Sequence, residues 1–281
     1  MTRKFTVRRT LEDGILHLVL ILLALFMILP FVWMVSTSLK PISEVFRSPP
    51  QLLSPNASFD AFRTLFEEKG FARNLWNTFL IASSATVLRL FFCALGGYGF
   101  AKYSFRGKTG LFSFVLAPLV IPFGIMLIPL YYLMLQFHWI DTFWPLIIPG
   151  AANAFGIFFM RQYISTIPDE LLDAARIDGA QEFAIFWRVI LPMISPGLVS
   201  LGLIFFMGSW NDYLFPLVIL KAPSNFTLPL TISTLVSGGL GRPIYNLQMA
   251  GSVVSIVPLL IIFLLFQRRF IDGITAGAVK V

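Results

Sequence analysis

Six long apolar runs constrain the fold of this chain more than any other feature. Each is long enough to cross a bilayer, because a hydrocarbon core about 30 Å thick needs about 20 apolar residues of helix. Of the 281 residues, 57% are hydrophobic and 12% are charged, whereas soluble domains are about 45–50% apolar and about 25% charged. We therefore predict an all-α integral membrane protein in which residues 1–281 form one transmembrane domain with six transmembrane helices. The predicted spans are residues 15–35, 75–101, 111–135, 143–163, 189–220 and 248–266.

Two of these runs need comment because of their length. The run 189–220 is too long for one straight span, so we expect it to begin with a surface helix or to end in a partly unwound loop near residues 211–216. The first run is longer than the apolar region of a signal peptide, about 7–15 residues, and no A-x-A site follows it. We therefore expect the first span to be retained. Prolines inside the spans, such as Pro122 and Pro129, are tolerated where neighbouring helices or waters satisfy the freed backbone groups.

Lys and Arg are distributed unevenly between the two sets of loops. The set that includes both termini carries most of the 21 basic residues, and the loop near His138 and Asp141 has none. By the positive-inside rule, both termini are predicted to be cytoplasmic. The placement of the net charge of +7 thus matters more than its sum, and we predict no nucleic-acid partner.

A charged stretch between the fourth and fifth spans predicts a short cytoplasmic helix at about residues 168–179. Pro168 suits the first helical position, and Asp169 and Glu170 complement the positive end of the helix dipole. Gly179 suits the left-handed residue just past the helix end. Such an amphipathic helix can lie in a groove of a partner protein or rest on lipid headgroups, and these residues alone leave both readings open.

The same stretch resembles the EAA loop of bacterial ABC importer permeases. The family pattern is E-A-A-x-x-x-G, nine residues, then I-x-L-P, and this chain departs from it only with Asp at 173 and Val at 189. Both changes are conservative, and the extended form through Ala180 looks like the carbohydrate branch. The matching residues are Asp173, Ala174, Ala175, Gly179, Val189, Leu191 and Pro192.

Three further segments resemble the same family. Residues 97–107 look like the exit of its second span, and residues 210–217 look like its W-N-[DE]-[FY] segment. The tail, residues 267–280, is similar to the ending of the smaller of the two maltose-type permeases. The chain is therefore identified as a six-span permease of the carbohydrate-uptake family.

The resemblance implies a machine with several partners. Two homologous permeases pair in the lipid of a bacterial or archaeal cytoplasmic membrane, on a dimer of cytoplasmic ABC ATPases, and an extracytoplasmic binding protein delivers the sugar. ATP and Mg belong to the ATPase subunits, so this chain binds no cofactor and is not an enzyme. Tail residues Thr275, Ala276 and Gly277 are expected to contact the ATPase. The residues expected to couple to it are Leu172, Asp173, Ala174, Ala175, Asp178, Gly179 and Pro192.

Other candidate motifs carry no catalytic or metal chemistry. Gly107-Lys108-Thr109 lacks the glycine five residues earlier that a phosphate loop requires, so we interpret it as a basic cytoplasmic turn. The glycines of residues 96–99 lie in a membrane run, where close helix packing is their expected role. His17 and His138 are isolated in the sequence. We predict no catalytic residues and no metal site.

Arg89 is the outstanding ionisable residue inside a predicted span. A charge this deep costs a few kcal/mol and marks a functional candidate. No span carries an obvious acidic partner at matching depth, and we expect Asp212 nearer the outer end. Arg89 either makes a structural hydrogen bond or contacts the translocation cavity, and the sequence leaves both open. The other candidates for the substrate pathway, each of which could equally serve packing or the membrane interface, are Asn153, Trp210, Asn211 and Tyr213.

Three alternative functions remain at this stage. The solute of an ABC permease could be a glycerol phosphodiester or a polyol instead of a sugar. An ATP-independent carrier is disfavoured because such carriers commonly have paired halves, and no convincing repeat is visible. A structural scaffold without transport is the third.

Overall fold

The computed structural model describes the backbone of residues 2–237 and 244–278, and the side chains of residues 13–235 and 244–267. Helices are the only regular structure in these described ranges, which confirms the predicted all-α class. Short 3-10 turns at Ile42–Glu44, Ala117–Val120 and Pro223–Asn225, and a π-helical turn at Phe186–Ile190, supplement the α-helices. The α-helices are α1 (Thr2–Ser38), α2 (Asp60–Glu67), α3 (Phe71–Lys102), α4 (Lys108–Leu116), α5 (Phe123–Gln136), α6 (Trp144–Ile147), α7 (Ala154–Ser165), α8 (Glu170–Ile177), α9 (Glu182–Ile185), α10 (Leu191–Met193), α11 (Ser195–Trp210), α12 (Leu214–Ile219), α13 (Leu228–Ser237) and α14 (Tyr245–Ala278).

Three helices are individually long and apolar enough to cross a membrane. They are contained in α1, α3 and α14, and correspond to the first, second and sixth predicted spans. Two bent helix pairs bring the number to as many as five within the described residues, if each pair is one span. The apolar helices agree with a membrane protein, whereas the count of six stays a prediction.

The third predicted span is not one straight helix. Residues 108–120 and 123–136 meet at an angle of 102°. Pro122 precedes α5, and Ile121 has extended backbone angles. A proline lacks the N–H needed for a helical hydrogen bond and disfavours helical angles in the residue before it. Residues 111–135 are therefore not one straight helix, and the predicted span stays a prediction in which the helix is broken at this point.

The fourth predicted span is also interrupted. A four-residue helix, α6, is followed by six non-helical residues before α7 begins at Ala154. Pro149 and Gly150 lie in this break, and both residue types disfavour a helix interior. Helix α7 has 12 residues, fewer than the roughly 20 that a full span needs. Residues 143–163 are thus not one continuous helix, and the span predicted there stays a prediction.

The fifth predicted span has the interruption that its length predicted. Helix α11 ends at Trp210, residues 211–213 are not helical, and α12 follows. At the other end, residues 182–193 form a helical stretch that meets α11 at 77°. The non-helical residues 211–213 are the unwound loop that was expected near residues 211–216, whereas a surface helix at the start stays a prediction.

The chain divides into two compact units, which we describe separately. The first comprises residues 1–69 and 232–254. Its loop after α1 is ordered by side chains: Lys40 donates to the Gln51 carbonyl and lies 4.6 Å from the centre of the Trp33 ring. The Glu44 carboxylate accepts hydrogen bonds from Ser54 and Asn56, and these bonds lower the pKa of Glu44. The short helix α2, which the apolar pattern did not reveal, also belongs to this unit.

The second unit, residues 70–231 and 255–281, is built around α3. Helices α7 and α11 pack along it. At Gly97 of α3 the contact with α7 is close, because a Cβ atom there would lie 2.5 Å from Cβ of Met160. The predicted packing role of the glycines in residues 96–99 is confirmed at this position. Phe186 and Met160 are fully buried in the core beside it.

Candidate functional site: helix α8 and the Arg89 cavity

Helix α8 ends as its sequence predicts and begins slightly later. Gly179 has φ +82°, and the N–H groups of Gly179 and Ala180 donate to the carbonyls of Arg176 and Ala175, each at 3.0 Å. This bond pair is the left-handed helix termination that a glycine permits, so the predicted role of Gly179 is confirmed. At the other end, the carbonyl of Asp169 accepts the first helical hydrogen bonds. Pro168 therefore precedes the helix, and its predicted place at the first helical position is wrong.

The apolar residues of α8 point in two directions. Leu172 is 1% exposed and belongs to the core of the second unit, and Ala175 packs against that core. Leu171 and Ile177 are 43% and 86% exposed. The single apolar side expected from the sequence is thus divided into an inner anchor and an outer surface. Of the predicted coupling residues, Asp173, Ala174, Asp178 and Gly179 are exposed, and Pro192 lies outside α8, in α10.

Charged and polar side chains hold α8 to the end of α3 at two points, which we call the α8 clamp. On one side, Lys102 contacts the Asp169 carboxylate at 2.6 Å and also donates to the Ile167 carbonyl. The Lys102 side chain is 5% exposed, so this ammonium is well shielded. Its hydrogen bond and charge lower the pKa of Asp169.

The second part of the α8 clamp centres on Glu182. Arg176 donates to Glu182 and to Asp173, each at 2.9 Å, and Tyr103 and Tyr98 also donate to Glu182. The Arg176 hydrogen bond and then that of Tyr103 lower the pKa of Glu182. Burial and the bond to Glu182 raise the pKa of Tyr103. Sequence reasoning missed the clamp, because its bonds to the end of α3 join residues 65–84 positions apart along the chain, beyond any local pattern.

A second site lies within the same unit, where the breaks after α6 and α11 face α3. It is a cavity of about 350 Å³, lined by Arg89, Asn153 and Asp212 together with apolar residues such as Phe123 and Phe215. The volume lies near the lower end of the range for small-molecule sites, about 300–1,000 Å³. Three polar side chains in a mostly apolar wall are typical of such sites.

Arg89 is held in this cavity on several sides. Its Nη1 donates to the Ser209 hydroxyl at 2.9 Å, and its guanidinium lies 5.8 Å from the centre of the Phe205 ring. Its Nε is buried and has no hydrogen-bond partner in the described part of the chain. Gly150 makes this position possible, because a Cβ there would lie 2.9 Å from Nη2.

Asp212 is the functional candidate that sequence reasoning missed. It lines the same cavity as Arg89, and their opposite charges interact. The expectation that Arg89 has no acidic partner at matching depth is therefore wrong. The chain unwinds after Trp210, which brings Asp212 back toward α3. Its place in the Trp-Asn-Asp segment was the only sequence signal.

The other predicted pathway residues have different surroundings. Asn153 does line the cavity, and its Oδ1 caps α7 by accepting from the Gly156 N–H at 3.0 Å. Trp210 is 1% exposed and donates to the Ser255 carbonyl at 3.1 Å, which favours packing over sugar stacking. Asn211 and Tyr213 are exposed. In the described structure the cavity thus brings together Arg89 and Asn153, but not these three.

Two further predictions concern the tail and metal binding. The side chains of Thr275, Ala276 and Gly277 lie outside the described residues. Among the residues that are described, no group of three or more His, Cys, Asp or Glu side chains could hold a metal ion.

The structure combines apolar helices that contain breaks, a charged helix fixed to the end of α3, and a polar cavity. This combination is typical of a membrane transport protein. Residues 91–276 match the family described as "Binding-protein-dependent transport system inner membrane component". The chain belongs to this family, and it is thus a component of the inner membrane. The predictions of a transporter subunit, and of its membrane location, are confirmed by this membership.

Curated relatives match along nearly the whole chain. The arabinooligosaccharides transport system permease protein AraQ of Halalkalibacterium halodurans is 37% identical, covering 92% of this chain and 93% of the relative. The lactose transport system permease protein LacG of Rhizobium radiobacter is 34% identical, covering 98% and 99%. Among solved structures, a bacterial ABC transporter involved in alginate import shares the fold, with a TM-score of 0.81, 24% identity and coverage of 96% and 99%.

Proposed function

We propose that this chain is one permease subunit of an ATP-driven importer that moves a sugar across the cytoplasmic membrane by alternating access. The family match over residues 91–276 carries this proposal. The named substrates of the relatives, arabinooligosaccharides and lactose, favour a sugar over a glycerol phosphodiester or a polyol. In this proposal, residues 1–281 form one six-span domain with both termini in the cytoplasm.

Helix α8 is proposed to receive the mechanical input. Its outer surface, with Leu171 and Ile177 exposed, has the apolar anchors expected of a helix that lies in a partner's groove. The partner is a cytoplasmic ATPase that holds ATP and Mg. Because the α8 clamp joins this helix to α3, movement of α8 is passed directly to the helix that carries Arg89. ATP acts by binding one arrangement of the assembly better than the other.

The remaining partners follow from the family. A binding-protein-dependent system includes an extracytoplasmic solute-binding protein, and the loop of residues 40–73 is proposed to help dock it. A second homologous permease completes the membrane part. The tail residues Thr275, Ala276 and Gly277 are proposed to reach the ATPase, and Arg89 and Asn153 to line the substrate pathway.

Uptake by reconstituted vesicles tests the proposal. The chain, the second homologous permease and the ATPase are reconstituted together with the binding protein. Uptake of radiolabelled arabinotriose and lactose is then measured with and without ATP. We expect uptake of at least one sugar only when ATPase and ATP are both present. Equal uptake without the ATPase, or by this chain alone, would instead indicate an ATP-independent carrier.

A substitution on the outer surface of α8 tests its docking role. Ile177→Asp places a charge where an apolar contact is proposed, without disturbing the inner anchor Leu172. We expect it to abolish copurification of the ATPase and ATP-dependent uptake, whereas Ile177→Met retains both. Full uptake by the Ile177→Asp assembly contradicts docking through this surface.

A further inference from the structure

The Arg89 cavity combines opposite charges on its wall. Arg89 is a permanent cation with five N–H donors, and its one described side-chain hydrogen bond goes to Ser209. Its Nε is buried and unpaired within the described residues. Leaving a buried donor without an acceptor is costly, so a ligand oxygen that enters this cavity gains a charge-assisted hydrogen bond.

Asp212 gives the same cavity an acceptor. Its carboxylate accepts hydrogen bonds from the backbone N–H groups of Tyr213, Leu214 and Phe215. A carboxylate has about four lone-pair sites, so three such bonds leave it with capacity to accept one more from a ligand. The charges of Arg89 and Asp212 offset each other, and the wall offers donors and acceptors together with little net charge.

This polarity distinguishes between classes of sugar. A hydroxyl group both donates and accepts hydrogen bonds, so neighbouring hydroxyls on a sugar ring can satisfy Arg89 and Asp212 at once. A uronate carboxylate only accepts, and it would bring a second negative charge close to Asp212. Like charges placed together in such a site repel each other and weaken binding. The apolar wall, which includes Phe123 and Phe215 in edge-to-face contact at 5.9 Å, suits the C–H surface of a neutral ring.

From these contacts we infer that the Arg89 cavity is a sugar-binding site of this chain, in which the Arg89–Asp212 pair selects neutral sugars over acidic ones. Arg89 donates to ring hydroxyl oxygens, and Asp212 accepts from hydroxyl hydrogens and repels carboxylates. This inference rests on the proposed transport function and goes beyond it, because it assigns a substrate class to a site in this chain.

Equilibrium binding to the assembled transporter, without binding protein, tests the selectivity directly. The probes are methyl galactoside and methyl galacturonide, which differ only at C6, and the corresponding glucose pair. Saturation-transfer NMR measures their affinities for the purified complex. We expect at least one neutral glycoside to bind about tenfold more tightly than its uronide.

Two variants, with one matched control, decide the roles of the pair. Asp212→Asn removes the repulsion and should reduce the preference for neutral sugar to less than about threefold. Arg89→Gln removes the charged donor and should weaken neutral binding about fivefold or more. Lys221→Gln, which removes one positive charge outside this cavity, should change neither the preference for neutral sugar nor the affinity for it. Thermal unfolding of each complex establishes that the variants are folded.

The outcomes separate this inference from the proposed function. A preference that is unchanged in Asp212→Asn, or unchanged neutral binding in Arg89→Gln, assigns the pair a structural role only and overturns the inference. No detectable binding of any probe to a complex that performs ATP-dependent sugar uptake overturns it too. If the wild-type complex shows no ATP-dependent uptake, the proposed function itself fails.

Discussion

Gly179 terminates α8 through its backbone conformation alone. Its φ of +82° is favourable only for glycine, and among the described residues no atom lies within 4 Å of the position that a Cβ would take. The requirement is therefore conformational and not steric. This is a case in which one residue type, placed after an amphipathic stretch, was sufficient to predict the local structure.

Substitution of Gly179 should thus depend on tolerance of left-handed angles. We expect Gly179→Val to lower the unfolding free energy by about 1–2 kcal/mol and to reduce ATP-dependent uptake. Gly179→Asn should cost less, because asparagine tolerates this conformation. Denaturant titration of the purified transporter measures both. Equal losses for Val and Asn would show that the backbone angle is not the reason for glycine here.

Glu182 makes the α8 clamp sensitive to acid. Because its pKa is lowered from the ordinary value of 4.5 by Arg176 and Tyr103, its stabilising contribution is complete above that value and is lost as the pH falls below it. Glu182→Gln should lower the melting temperature at pH 6 and flatten the further decrease between pH 5 and pH 3.5. Thermal unfolding across this pH range tests the effect. Glu170→Gln, which changes an exposed carboxylate of α8 outside the clamp, is the control. An identical pH profile in Glu182→Gln would contradict it.

Contacts between individual residues could be predicted only where the partners are close together in the sequence. Gly179 and its neighbours form a local motif and could be interpreted directly. The partners of Lys102, Glu182 and Arg89 come from other helices, and no periodicity indicates which helices meet. The position of Asp212 beside the Arg89 cavity was not predicted, because it depends on where α11 unwinds.

At the scale of helices, the packing of α7 against α3 rests on small residues. Helix packing in membranes depends on close approach, which glycine allows. At Gly97 an added Cβ would lie 2.5 Å from Cβ of Met160 and 2.9 Å from the Arg161 backbone nitrogen. Two residues further, Gly99 has no described atom within 4 Å of the same position.

This contrast supplies a matched pair of substitutions. Gly97→Ala should force α3 and α7 apart and lower the unfolding free energy by about 1–3 kcal/mol. Gly99→Ala should be neutral or stabilising by about 0.5–1 kcal/mol, since alanine favours helix more than glycine does. Thermal and denaturant unfolding of the two variants compares them. If both behave alike, the close contact at Gly97 does not limit packing.

The predicted spans are single helices where apolar runs are uninterrupted and are divided into shorter helices where prolines interrupt them. Helices α1, α3 and α14 contain the predicted first, second and sixth spans. Membrane helices tolerate many prolines, so Pro122 and Pro149 could not be identified in advance as breaks. Helix α13 was missed because residues 228–237 are too few for a span.

At the scale of the whole molecule, the predicted orientation can be tested with cysteines. The chain has one cysteine, Cys93, and it is buried, so the wild type provides an unlabelled background. Leu53→Cys lies at an exposed position in the loop after α1, which is proposed to lie outside, and Glu170→Cys lies on α8. In intact cells an impermeant maleimide should label Leu53→Cys only, and Glu170→Cys should react after the membrane is opened. The reverse pattern would invert the proposed topology.

The family and the all-α class could be predicted from composition and from the loop motif. The number of spans could not, because a membrane protein can cross the bilayer with broken helices whose pieces are individually short. Apolar length alone cannot distinguish a broken span from a straight one.

The break between α6 and α7 has a consequence for the surroundings of this face of the protein. Residues 148–153 leave peptide groups outside any helix, and hydrocarbon offers such groups no hydrogen-bond partner. This stretch is therefore unsuited to contact with acyl chains. Some of its groups bond within the chain, as the N–H groups of Ile148 and Ala151 do. The remaining groups require water or a neighbouring polypeptide, so we expect this stretch to face water or protein and not lipid.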